Sequence, residues 1–277
     1  MANETHDGET APSASSPTPA SVEAWAVEYI AAATLEHKRR PPAAPTRWAS
    51  PSEAFAVLTR PGRPPELTVV NKARGGYGAQ SPEARARMIH TFLHHELQAA
   101  ELMAWAILRF RDAEPEFKHG LLRICLDEIR HLDLYCTLLE RRGVKWGAYP
   151  VRDWFWQRVP TCSTPLQFVS LMGLGVESAN LEHAARFADE FERHGDPEAA
   201  HVQRVVEGDE INHVAFGRHW FEKWHGELTF EAWQKELPKP LSPLLMRALP
   251  LNRTARERAG VNAAFLDALA AWTPDDT

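Results

Sequence analysis

Two stretches decide the reading of this chain: Asp127-Glu128-Ile129-Arg130-His131 and Asp209-Glu210-Ile211-Asn212-His213. Both follow the pattern Asp-Glu-Ile-x-His, and each has a partner glutamate ahead of it. Glu96 lies 32 residues before Glu128, and Glu177 lies 33 before Glu210. On an α-helix a glutamate and a histidine three positions apart project from one face, about one turn along, so that both can reach one metal ion. Two such helices, with one glutamate from each of two others, supply four carboxylates and two imidazoles, the donor set of di-iron and di-manganese carboxylate centres. Oxygen and imidazole nitrogen without thiolate suit iron or manganese better than structural zinc. The expected ligands are Glu96, Glu128, His131, Glu177, Glu210 and His213.

The apolar spacing around these residues turns them inward. Glu96 falls in line with Phe92, Ala99, Ala100 and Met103; Glu128 and His131 with Ile124, Cys125 and Tyr135; Glu177 with Gly173, Leu174, Leu181 and Ala184; Glu210 and His213 with Val206, Val214 and Gly217. A lone buried carboxylate costs roughly several kcal/mol unless it is paired or bound to metal. A single Glu-x-x-His on a helix is common and usually solvated; the duplication, the spaced glutamates and the apolar stripes together carry the metal assignment. Asp127 and Asp209 adjoin the ligating glutamates and could orient the histidines or pair with a nearby arginine. Tyr135 and Asn180 are further candidates for groups beside the centre. Glu101 and Glu182 follow expected ligands by five positions, about 140° around the helix, so ion pairs elsewhere are expected of them. His94 and His95 could serve near the metals but read first as helix-surface histidines; Tyr135 and Trp154 to Trp156 could line a substrate pocket or relay electrons but read first as core aromatics; Arg39-Arg40 reads as solvated charge. No catalytic side chain beyond the ligands is assigned.

Long helical segments begin at Ser81-Pro82, a cap followed by a first-turn proline. They are expected over about 82–111, 116–142, 165–194 and 197–225, with short, long and short connections. One long crossover between the second and third helices is the ferritin-like topology, so the expected fold is all-α, a ferritin-like four-helix bundle with N- and C-terminal helical extensions. The organisation reads as a disordered tail over 1–20, an N-terminal helix (21–40) and irregular arm up to 80, the bundle over 81–226, and a C-terminal arm with one final helix (254–272) over 227–277.

With 277 residues and 44% hydrophobic content the chain can bury a substantial core. A net charge of -6 and a pI near 6.1 give no basic field for nucleic acid. Three cysteines without Cys-x-x-Cys spacing suggest neither a disulfide framework nor a zinc knuckle, and a reducing cytoplasm is the expected compartment. No apolar run of the length that crosses a membrane occurs.

The run Phe92-Leu93-His94-His95-Glu96-Leu97-Gln98-Ala99, the two Asp-Glu-x-x-His motifs and the Glu177 helix resemble the bacterial ferritin-like family known as domain of unknown function 455. The likeness spans roughly 25–272 and includes Asn252-Arg253-x-Ala255-Arg256; Ser178-Ala179-Asn180 stands where that family's pattern has Ala-Arg-Gly. The resemblance implies a fold and a metal pair, and a distant kinship with ferritins, ribonucleotide reductase small subunits, rubrerythrins and the tRNA-modifying di-iron hydroxylase. The expected function is a non-haem di-iron or iron–manganese protein, a dioxygen-dependent oxidase or oxygenase acting on a small organic molecule. The alternatives are a ferroxidase or iron-handling protein, a metal-stabilised scaffold without catalysis, and an RNA hydroxylase. Substrate and electron donor are left open by the sequence, as is the oligomeric state, for which a homodimer is the candidate.

Overall fold

The computed structural model describes residues 19–72 and 78–274; the expected tail falls, over 1–18, outside them. Its helices are α1 (Val22–Ala31), α2 (Leu35–Arg39), α3 (Pro82–Arg109), α4 (Pro115–Arg141), α5 (Pro165–Leu171), α6 (Glu177–Arg193), α7 (Pro197–His225), α8 (Phe230–Glu236), α9 (Arg253–Arg258) and α10 (Ala263–Ala271). The protein is all-helical: extended chain pairs, among the described residues, in one isolated parallel bridge between Val69 and Val151. No helix among these residues is long and apolar enough to cross a membrane.

The helix ends follow local chemistry. The Ser81 hydroxyl accepts the Ala84 N–H ahead of α3, and the Asp196 carboxylate accepts the Ala199 N–H ahead of α7, each with proline in the first turn. Gly143, Gly195 and Gly226 follow α4, α6 and α7 with positive φ, the conformation that ends a helix most cheaply at glycine. α3 packs along α4, α6 along α7, and α4 against α7, so the short turns at 110–114 and 194–196 join neighbours while 142–164 crosses between the pairs.

The third long helix, expected over about 165–194, runs without a gap from Pro165 to Arg193 but widens within. A π turn over Met172–Val176 separates α5 from α6, closed by the Glu177 N–H reaching the Met172 carbonyl. Its glycines permit the close approach that accompanies it: a Cβ on Gly173 would stand 2.8 Å from the Gly217 Cα of α7, and a Cβ on Gly217 2.9 Å from the Gly173 Cα. The wide turn therefore sits directly before an expected ligand, a frequent place for such insertions.

The flanking helices also differ from expectation. The single helix over 21–40 is two, α1 and α2, because the Thr34 hydroxyl caps a new start at the His37 N–H and the chain folds back so that Lys38 reaches the Tyr29 and Ile30 carbonyls at 2.7 and 2.9 Å. The single helix over 254–272 is likewise α9 and α10, divided at Gly260, where φ is +85°. α8 was not expected. Arg39, read as solvated, pairs instead with Asp133 and Glu140 of α4 with its side chain only 11% exposed.

α1 lies on α3 and places Val22, Trp25, Ala26, Tyr29 and Ile30 in the same core as the long helices. α3 is accordingly buried on every side from Glu96 to Leu108. Within that interior Glu101 is fully buried and fully partnered. Its Oε1 takes Lys38 Nζ at 2.7 Å and Arg63 Nη1 at 2.6 Å, and its Oε2 accepts the Trp156 indole N–H at 2.7 Å. Burial pushes the Glu101 carboxyl up, but Arg63 and Lys38 outweigh it and hold the group below its usual range. Replacing Glu101 with glutamine leaves the buried Lys38 ammonium facing a neutral amide and Arg63 with Asp153 alone. Glu101→Gln is expected to lower stability by about 3–5 kcal/mol, read as a fall in the urea midpoint at unchanged slope.

Candidate metal centre

Each expected ligand arrives on a different part of the helical frame. Glu96 comes from the middle of α3, Glu128 and His131 from α4, Glu177 from the first residue of α6, and Glu210 and His213 from α7. All six are buried, with exposures from 0 to 5%. Their donor atoms form two overlapping groups, Glu96–Glu128–His131–Glu210 and Glu128–Glu177–Glu210–His213, and within each group the atoms lie within 4.8 Å of one another. Glu128 and Glu210 belong to both. These groups could hold metal ions.

The histidines show how. His131 Nδ1 lies 3.4 Å from both Glu96 Oε2 and Glu128 Oε2, and His213 Nδ1 lies 3.0 Å from Glu128 Oε1 and from Glu210 Oε2. The opposite ring nitrogens point outward to the aspartates of the other motif: His131 Nε2 is 3.0 Å from Asp209 Oδ2, and His213 Nε2 is 3.5 Å from Asp127 Oδ2. Arg130 joins the pair from outside, bonding Asp209 and standing 3.7 Å from Asp127. An aspartate on Nε2 fixes a hydrogen there and makes Nδ1, which faces the carboxylates, the nitrogen that can bind metal once its own proton has left. Both readings of the aspartates, orienting histidine and pairing with arginine, are thus realised together.

The donor set is incompletely satisfied by the protein itself. Both oxygens of Glu128, Glu177 Oε1 and His131 Nδ1 are buried without a hydrogen bond; the imidazoles that approach Glu128 do so off the hydrogen-bonding direction. Buried carboxylate oxygens are rarely left so, and a cation among them answers all of these atoms at once. Taken as protein groups alone, the cluster limits its charge with protons. Burial, then the neighbouring Glu128, pushes the Glu96 carboxyl well above its usual range, and burial with Glu210 and Glu128 does the same to Glu177. Burial opposes charge on His131 and His213, but the carboxylates around them prevail and hold both imidazoles well above their usual range. Hydrogen bonding by His131 and pairing with Arg130 hold Asp209 down at about 2.

Asn180, one turn after Glu177, donates to Glu210 Oε1 at 2.8 Å. Tyr135, one turn after His131, is buried beside the carboxylates, and burial pushes its phenol well above the usual range. Both residues line a cavity of about 170 Å³ that reaches Glu96 and Glu177. Trp154 and Phe155 line it too, whereas Trp156 turns away to Glu101, so the crossover aromatics divide between cavity wall and core. Glu101 and Glu182 stand off the centre: Glu182 is held by the buried Arg256 through two bonds of 2.7 Å. The surface reading of His94 and His95 is corrected. His94 is 2% exposed and bonds Asp153 across the crossover at 2.9 Å, and His95 is a half-buried cavity wall. His183 was not singled out by the sequence; a helical count of six from Glu177, on the side shared with Asn180, was the available signal.

Residues 17–267 match the model of a family described as "Protein of unknown function (DUF455)". An uncharacterized protein of Haemophilus influenzae is similar to this chain, 24% identical over 195 residues, which is 67% of each protein. No solved structure matches the chain.

Two outcomes follow from the site's geometry. Asp209→Ala frees the His131 Nε2–H and its ring orientation while sparing every ligand, and is expected to weaken metal binding by about 10–100-fold in a chelator competition. The protons held by Glu96, Glu177, His131 and His213 must leave as a cation enters. Because these groups bind protons more tightly than usual, metal affinity is expected to fall as pH is lowered from neutrality, with proton release on binding measurable in weakly buffered solution.

Proposed function

We propose, for a chain that belongs to the DUF455 family of proteins of unknown function, that it is a ferritin-like di-iron or iron–manganese carboxylate protein that uses dioxygen to oxidise a small organic molecule. The observation that carries this reading is the pair of overlapping donor groups, in which Glu128 and Glu210 are common to both and each group adds one histidine and one further glutamate. Glu96 and His131 would serve one ion, Glu177 and His213 the other, with Glu128 and Glu210 between them. Four carboxylates balance the charge of two divalent cations, which is the electrostatic condition for placing both in a dry interior. When bound, such a pair supplies reversible binding and reduction of dioxygen, chemistry that belongs to the metals.

The protein's own residues provide the rest. Asp127, Asp209 and Arg130 orient the imidazoles, Asn180 steadies Glu210, and the helices exclude water from the ligands. The cavity against Glu96 and Glu177 favours an organic substrate over iron storage, because aromatic and aliphatic side chains make up most of its wall and no further carboxylates line a path for ions.

Metal analysis of protein reconstituted under argon with ferrous iron or with ferrous iron and manganese(II) together, beside a Glu128→Ala, Glu210→Ala double variant, is the direct test. Two iron or manganese ions per chain, lost in the variant, and oxygen consumption with a visible absorbance change on mixing with air are expected. Folded protein that takes up neither metal would sink the proposal.

A further inference from the structure

The cavity beside the centre restricts what can enter it. Its floor is Glu96 and Glu177, and its walls include the rings of Phe92, Phe155 and Phe187. Phe92 and Phe187 meet at 4.8 Å between centroids, and Phe155 lies 5.2 Å from His95. Flat aromatic faces favour a flat guest, through offset or edge contacts. At about 170 Å³ the space compares with an apolar protein cavity of about 150 Å³ that takes up benzene. The space is of the size that one aromatic ring fills.

Charge narrows the guest further. No lysine or arginine lines the cavity among the described residues, so a carboxylate or phosphate would find no side-chain cation beside Glu96 and Glu177. The nearby Arg186 is turned to the back of the wall: it bonds His183 Nδ1 at 3.3 Å and lies over the Phe187 ring at 4.7 Å. With its Nδ1 accepting from Arg186, His183 keeps Nε2–H as its donor. His95 has no hydrogen bond to its imidazole among the described residues and lines the same space. A neutral imidazole in that position can both donate and accept a hydrogen bond.

We propose that this cavity binds an uncharged, single-ring aromatic molecule bearing a hydroxyl group, of the phenol type, with its ring against the phenylalanines and its hydroxyl toward His95 and His183. As a substrate class it rests on the oxidase reading above, in which ions and carboxylates balance and leave no net charge to pair with a charged guest; as a binding site it stands on the cavity alone.

Calorimetric titration of manganese-loaded protein with phenol, toluene, benzoate, benzylammonium and 2-naphthol tests it. Phenol is expected to bind at least tenfold more tightly than benzoate, benzylammonium or 2-naphthol. His95→Leu is expected to narrow the advantage of phenol over toluene at least threefold, and Ala179→Leu, which fills the cavity wall, to weaken phenol at least tenfold with manganese content retained. His95→Leu changes a half-buried position and keeps the test decisive if Ala179→Leu fails to fold. Charged ligands bound as tightly as phenol, or phenol binding indifferent to the variants, would overturn the proposal. Manganese-loaded protein that takes up no phenol also overturns it and leaves the metal reading standing. His95-dependent binding of phenol by protein that holds no manganese supports the aromatic site and removes the metal reading instead.

Discussion

Four carboxylates face one another in a buried volume, and the surrounding structure is arranged to make that tolerable. Glu96, Glu128, Glu177 and Glu210 are between 0 and 5% exposed. In such surroundings like charges repel strongly and hydration cannot compensate. The responses are concentric. Two imidazoles approach the carboxylates, two aspartates fix the imidazoles, and Arg130 at the surface links the aspartates. The packing of α4 on α7 and the glycine contact between the π turn and α7 bring the donors within reach.

The same fold contains a control for this interpretation. Glu101 and Glu182 are also buried carboxylates, on the same helices as Glu96 and Glu177. Both are saturated by the protein: Glu101 by Lys38, Arg63 and Trp156, Glu182 by Arg256 and the Asn252 N–H. Glu128, equally buried, has no hydrogen bond to either oxygen. Two chemical answers to one problem therefore sit a few residues apart, cations from side chains in one place and an open donor cluster in the other. The contrast separates carboxylates that hold the fold from those available to a ligand.

The six donors were legible in the sequence because helical period alone aligns Glu128 with His131 and Glu210 with His213, and the apolar stripes turn them inward. The positions of Asp127, Asp209 and Asn180 near them followed from the same count. What could not be read is what depends on partners distant along the chain. Periodicity places His94 on a helix but is silent on Asp153, which arrives by way of the crossover and draws the histidine into the interior. It suggests one helix over 21–40, whereas Lys38 gains Glu101 only if the chain breaks and folds back. The π turn is hidden for the same reason. Gly173 and Gly175 are tolerable in an ordinary helix, and only the approach of Gly217 and Leu245 gives their missing side chains a purpose.

The crossed contacts between aspartate and histidine bear on how such a protein can be built. Asp209 belongs to one copy of the repeated motif and steadies the histidine of the other, while Asp127 serves His213 in return. A lone helical hairpin carrying one copy would hold an aspartate with no histidine to receive it and a histidine with nothing to orient it. Two identical hairpins face to face would complete each other. The chain is in this respect a symmetric dimer made covalent by its crossover, and the two halves, once joined, are free to differ everywhere except at the groups they exchange. The cavity wall, with Asn180 and His183 from one half and Phe92 and His95 from the other, is where they have done so.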